Sequence, residues 1–331
     1  MAKPRVSLLL TGGTLGMEGR RPRPLHPGTY LRDLVGVVPE IEGLADINVE
    51  LLWNLDSSNL GPDHWHQLAE RIVALRAGAD GFVVIHGTDT MAYTGSALSF
   101  LLSGLDCPVV LTGSQRPLGE IRSDARMNLV DAVELATRDV PEVTICFGSH
   151  LLRANRATKV DVWRYEAFES PNHPPLARIG VGVELSTDVR RPTGSLELRG
   201  ALDSRVACVR LTPGMPGQAL VGAVRAGGAA GLVLLAYGSG NVPTLDPSVL
   251  DAISALRCDG IPVVITSQTL RGGVDLGLYE CGQAARDRGA ISGGDMTVEA
   301  SVTKLMWALG TTPAQVESTF LTDLAGELTP E

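Results

Sequence analysis

The sequence predicts an α/β protein of two domains, each a mainly parallel sheet flanked by helices, with the N-terminal domain larger. Three observations carry this. Up to about residue 185, short apolar runs rich in β-branched residues alternate with segments of helical apolar spacing, the rhythm of parallel sheets built from strand–helix–strand units. The rhythm breaks over residues 186–203, where Arg190, Arg191, Pro192 and Gly194 cluster, and then resumes. A length of 331 residues is enough for two cores. The expected division is 1–185, a linker over 186–203, and a smaller C-terminal domain over 204–331.

Each element follows from its own pattern. Val6-Ser7-Leu8-Leu9-Leu10 is a short apolar run, which reads as a strand buried on both faces. It empties into Thr11-Gly12-Gly13-Thr14-Leu15-Gly16, where glycines allow a sharp turn and a close approach to a ligand. Helical spacing over 62–77 leads to the strand 81–86, then a helix over 91–103, a strand over 108–112, a helix over 124–137 and a strand over 143–147. In the second domain the strands are 206–211, 231–236 and 261–266, with helices over 246–256 and 298–309. Ligands of open parallel sheets bind beyond the C-terminal strand ends. Thr14, Thr88, Asp89, Ser114 and Tyr237 fall at those ends.

The strand 81–86 runs into His86-Gly87-Thr88-Asp89-Thr90. Two hydroxyls and a carboxylate thus stand where a helix begins, beside free backbone N–H groups. Read alone, Asp89 or Thr90 is as well explained as a helix cap. The glycine-rich turn after Leu10 is a poor phosphate cradle, because no Gly-Lys-Ser/Thr follows and Glu18 to Pro27 is rich in Arg, Gly and Pro. His86 closes a buried strand and reads as a structural core histidine.

Bulk properties narrow the classes. A net charge of −9 argues against nucleic acid. No apolar run is long enough to cross a membrane, and the five-residue run after Lys3 and Arg5 is too short for a signal-peptide core. The five cysteines, Cys107, Cys146, Cys208, Cys258 and Cys281, show no disulfide or metal spacing, which reads as reduced, buried cytoplasmic thiols. No metal or cofactor motif is present.

Taken together, several blocks resemble the bacterial-type L-asparaginase family, nearest its cytoplasmic type I members. They are Thr11-Gly12-Gly13-Thr14, Asp56-Ser57-Ser58, His86-Gly87-Thr88-Asp89-Thr90 with Met91-Ala92-Tyr93-Thr94, and Gly113-Ser114-Gln115-Arg116-Pro117 with Arg122-Ser123-Asp124 and Asn128-Leu129. Asn155-Arg156-Ala157-Thr158-Lys159 and Gly293-Gly294-Asp295-Met296-Thr297-Val298-Glu299-Ala300 complete the set. The resemblance covers essentially the whole chain. It implies hydrolysis of L-asparagine to L-aspartate and ammonia, with weaker action on L-glutamine and no cofactor.

By the same resemblance Thr14 is the nucleophile, and Lys159 works with Thr88 and Asp89 as the base, in keeping with desolvation favouring a neutral lysine. The Thr88 N–H stabilises the oxyanion. Asp56, Ser57, Ser58, Thr88 and Asp89 hold the substrate. Asn241, in Tyr237-Gly238-Ser239-Gly240-Asn241, reaches the site of a neighbouring subunit, so a homodimer or homotetramer is implied.

Departures are visible. The family's lid tyrosine falls at or near Pro24, with Tyr30 the nearest tyrosine and Arg20, Arg21 and Arg23 around it. Ala125 stands where glycine is common. Leu235 and Thr269 replace the arginine and cysteine of members with a regulatory asparagine site, which argues against that regulation here. Two alternatives follow: the asparaginase-like subunit of an aminoacyl-tRNA amidotransferase, for which Thr11 comes early, and an impaired asparagine-binding protein.

Overall fold

The computed structural model describes residues 2–18, 26–27 and 34–330. Pro24, Tyr30 and the three arginines of the 17–29 segment lie outside the described residues. The chain divides into two compact units, 1–199 and 200–331.

The first unit is built on an eight-stranded sheet. Its strands are β1 (Arg5–Gly12), β2 (Asp46–Leu55), β3 (Gly81–Ile85), β4 (Val109–Thr112), β5 (Val143–Phe147), β6 (His150–Arg153), β7 (Ala177–Ile179) and β8 (Val183–Leu185). Their spatial order is β8-β7-β6-β5-β4-β3-β1-β2. The five strands from β5 to β2 run parallel, and the three at the far edge are antiparallel. The sheet is therefore mixed but largely parallel.

Alternation along each strand divides the core. Leu8, Leu10, Val83, Ile85 and Val110 point to the face covered by α3 (Ala125–Leu135), where they meet Ala125, Leu129, Ala132 and Val133. Leu9, Phe82, Val84 and Leu111 are equally buried and point the other way, toward the face carrying α1 (Pro62–Leu75) and α2 (Met91–Leu101). Each large aliphatic side chain so buried contributes about 1.5–3 kcal/mol.

Sequence patterns missed β2. Asp46-Ile47-Asn48-Val49-Glu50 alternates polar and apolar side chains, as an edge strand with one wet face must. The stretch 186–199 also differs from a free linker. Glu197 and Leu198 pair with Ser103 and Leu102, and the Arg190 N–H donates to Glu142.

The second unit carries four parallel strands in sequential order: β9 (Val206–Arg210), β10 (Gly231–Ala236), β11 (Val263–Ser267) and β12 (Ile291–Ser292). Its helices are α4 (Gly217–Ala226), α5 (Ser248–Cys258), α6 (Glu280–Asp287), α7 (Val298–Thr311) and α8 (Val316–Leu321). α4, α6, α8 and β12 were not expected from the sequence. The cysteines correct another expectation: Cys107 and Cys146 are buried, but Cys208 and Cys258 are exposed, and all five are free thiols. None of the helices among the described residues is long and apolar enough to cross a membrane.

Candidate active site

The site forms where β1, β2, β3 and β4 end. β1 stops at Gly12, and Thr14 opens a short 3-10 turn, Thr14–Gly16, behind Gly13. Gly13 has φ +90°, and a Cβ there would lie 2.4 Å from the Gly87 nitrogen. Only glycine tolerates both conditions. A Cβ on Gly87 would in turn meet the Ser57 hydroxyl at 2.6 Å. Three strand ends are thereby pressed together, and the Thr14, Ser57 and Thr88 segments become neighbours. The loop after β4 fixes the 3-10 turn from outside, with the Leu118 N–H donating to Leu15 O at 3.2 Å.

After β3 the backbone is clamped on both sides. The Thr11 hydroxyl donates to Ile85 O at 3.0 Å, and the His86 N–H donates to Thr112 O at 2.8 Å. Thr88 is buried and Asp89 exposed. Lys159 comes from the ribbon that pairs Thr158–Lys159 with Phe168–Glu169. Its Nζ donates to Thr88 Oγ1 at 2.7 Å and to Asp89 Oδ1 at 2.6 Å. The lysine side chain is only 15% exposed while its carboxylate partner is 65% exposed. Thr88, Asp89 and Lys159 thus form one cluster, with Asp89 as an ionic partner on the solvent side.

Asp56, Ser57 and Ser58 sit at the end of β2. Asp56 accepts from the Ser58 hydroxyl at 2.6 Å and from the Ser58 N–H at 2.9 Å. Those bonds hold the Asp56 carboxyl below the usual carboxylate range, the hydroxyl contributing most. Ser57 is buried. Asn241 belongs to the second unit, in the turn after β10, where it forms a β-bridge with Tyr237.

Two residues that the sequence blocks contain, Thr90 and Gln115, take part in this site without having been assigned a role in it. Thr90 occupies the N-cap position of α2, but its side chain makes no cap bond there. Its hydroxyl donates instead to Ser57 O at 2.7 Å, tying the β2 and β3 ends together. Gln115 follows β4, and its Nε2 donates to Asp161 O at 3.3 Å and Arg164 O at 3.1 Å. Those two bonds orient the amide, so that Oε1 faces Thr88 and accepts from its hydroxyl at 3.4 Å. The Gln115 N–H is held by Asp124, at 2.9 Å to Oδ2. The available signal was position: Gln115 stands at the end of the strand adjacent to β3.

An ordered turn behind a strand end carrying a hydroxyl, with a second hydroxyl bonded to a covered lysine, is suited to acyl transfer. Comparison with known proteins shows the family. The asparaginase N-terminal model matches residues 5–191, and the glutaminase/asparaginase C-terminal domain matches residues 205–320. The chain belongs to the asparaginase family. These are amide hydrolases. Across 339 residues it is 37% identical to L-asparaginase 1 of Escherichia coli, covering 100% of both chains. It is also 35% identical over 341 residues to a glutamyl-tRNA(Gln) amidotransferase subunit of Methanobrevibacter smithii, spanning 98% of this chain and 77% of that one. Among solved asparaginase structures, the thermostable L-asparaginase of Thermococcus kodakarensis superposes with a TM-score of 0.90 at 35% identity, covering 99% of this chain and 100% of that one. The probable cytoplasmic L-asparaginase of Campylobacter jejuni does so at 0.81 and 28% identity, covering 97% and 100%.

Proposed function

We propose that this asparaginase-family hydrolase converts L-asparagine to L-aspartate and ammonia, with weaker action on L-glutamine. The observation that carries the reading is the Thr88–Lys159–Asp89 cluster at the end of β3, beside the glycine contact that brings in Thr14. Thr14 Oγ1 attacks the side-chain amide carbon as its proton passes toward Lys159 and Thr88. The C–N bond of the tetrahedral intermediate then breaks, and the nitrogen takes a proton and leaves as ammonia. Water attacks the acyl-threonine, aspartate departs, and Thr14 regains its proton. No metal or organic cofactor takes part.

The Thr88 N–H is the oxyanion donor in this reading. Among the described residues no group accepts a hydrogen bond from it, so it is available to substrate. One such donor typically contributes about 3–4 kcal/mol of transition-state stabilisation. Asp56, Ser57, Ser58 and Asp89 take the α-amino and α-carboxylate groups. The enzyme works as a homodimer or homotetramer in the cytoplasm, with Asn241 serving a partner's site, and binds neither nucleic acid nor membrane. The likeness to the amidotransferase subunit supports a second reading, glutamine deamidation for a tRNA amidotransferase. Ammonia release measured with each amide, with and without charged tRNA, tests both: turnover of asparagine alone supports the first, and tRNA-dependent release from glutamine the second.

A further inference from the structure

We propose that His86 is a positioning residue that fixes the peptide plane carrying the Thr88 N–H. The inference rests on the amide-hydrolysis reading and extends it to a side chain with no part in bond making. The clamps from Thr11 and Thr112 end at His86. The His86–Gly87 peptide beyond them packs against Gly13, and the one after it, joining Gly87 to Thr88, follows a glycine and receives no bond from either clamp.

His86 supplies that hold. Its Nδ1 lies 2.7 Å from Gly87 O, and its Nε2 lies 2.9 Å from the Thr94 hydroxyl of α2. A carbonyl can only accept, so Nδ1 carries the proton and donates it. Nε2 is then the acceptor, and the Thr94 hydroxyl donates to it. The ring is fully buried, and burial pushes it down to about 4, which keeps it neutral in this one tautomer at physiological pH.

The consequence comes from covalent geometry. In a planar trans peptide the C=O and the following N–H point in opposite directions. Holding Gly87 O against His86 therefore turns the Thr88 N–H away from that buried ring, the orientation an oxyanion donor needs. A flipped plane would present a carbonyl oxygen to the developing negative charge, replacing attraction with repulsion.

The test compares His86→Asn with His86→Gln in steady-state ammonia release, alongside thermal midpoints. The Asn amide nitrogen falls near Nδ1 and retains the donor to Gly87 O. The Gln amide falls near Nε2 and retains only the Thr94 side. We expect kcat within about tenfold of wild type for Asn and a loss of about 10²–10³-fold for Gln, with KM changed less than threefold in both. Thr94→Val, which removes the hydroxyl that anchors the far side of the ring, is expected to lower kcat about tenfold and decides the matter if His86→Gln does not fold. A purely structural histidine would instead favour Gln, the closer match in volume, with losses that follow the thermal midpoints. That result, or unchanged kcat in His86→Gln, overturns the assignment. A wild-type protein releasing no ammonia from either amide overturns the hydrolase reading itself, and this assignment with it.

Discussion

Lys159 Nζ lies 2.7 Å from the Thr88 hydroxyl, although 71 residues separate the two in the chain. The contact needs both the end of β3 and the Thr158–Lys159 ribbon, so it reports on the assembled site. If it moves the nucleophile's proton, Lys159→Met lowers kcat by about 10²–10⁴-fold while circular dichroism stays unchanged. Lys159→Arg keeps the charge but not the geometry and is expected to fare little better. Near-normal ammonia release by either variant removes the lysine from the mechanism.

Thr14→Ala should abolish turnover and leave the fold intact, since the side chain is only partly covered. Gly13→Ala makes a harsher test of the same turn. The new methyl group would enter both a left-handed backbone position and the space held by the Gly87 backbone, so loss of activity and a lower thermal midpoint are expected together. A fully active Gly13→Ala protein would show that the β1 and β3 ends need not touch.

Much of this arrangement is legible in the sequence, and the reason lies in burial. Val6 to Leu10 and Gly81 to Ile85 are covered on both faces, so their runs are apolar and unmistakable, and the loops after them can be placed. β2 was not visible because its solvent face restores polar residues at every second position. The roles of Gln115 and Thr90 were hidden for a different reason. Their partners, Asp161, Arg164 and Ser57, are 33 to 49 residues away, and no local pattern records which loops a sheet will bring together. His86 was placed correctly in the core, but the hold it exerts on the next peptide is a matter of side-chain geometry.

Gln115→Met preserves length and removes both the acceptor facing Thr88 and the donors to the 161–164 loop. A resting distance of 3.4 Å leaves room for the hydroxyl bond to tighten when substrate fills the site. We expect kcat to fall about tenfold or more, with KM little changed, as measured by initial rates. Equal losses in kcat/KM and stability would instead mark Gln115 as packing alone.

The second unit offers a test that leaves the site alone. Lys304 and Glu327 are both fully buried with 2.5 Å between Nζ and Oε1, and Glu327 also accepts from the Leu324 and Ala325 N–H groups. Lys304→Met leaves a buried carboxylate without its countercharge, which typically costs about 3–5 kcal/mol. Pairing it with Glu327→Leu should recover part of that loss and not all, because the two backbone donors lose their acceptor. Urea midpoints of the single and double variants decide it, and equal destabilisation by both would contradict the ion-pair account.

The last prediction concerns acid stability and sets two buried groups against each other. Burial lowers His86 from 6.5 to about 4. Between those values the unfolded chain binds the proton and the folded one does not, so stability falls as pH drops through the window. Asp131 behaves oppositely. Burial, reinforced by Glu134, raises it from 3.8 to about 6, and its Oδ2 has no hydrogen-bond partner among the described residues. Here the folded state takes the proton first, so stability rises as pH drops from about 6 toward 3.8. At about 1.4 kcal/mol per unit, each contribution is on the order of 3 kcal/mol, and over the shared window they largely cancel. Asp131→Asn removes only the second. The variant should be more stable than wild type at pH 8, where the charged aspartate is penalised, and should then lose stability steeply between pH 6.5 and 4 while wild type stays flatter. Urea midpoints at pH 8, 6 and 4.5 distinguish the outcomes, and parallel curves would show that Asp131 carries no buried charge at neutral pH.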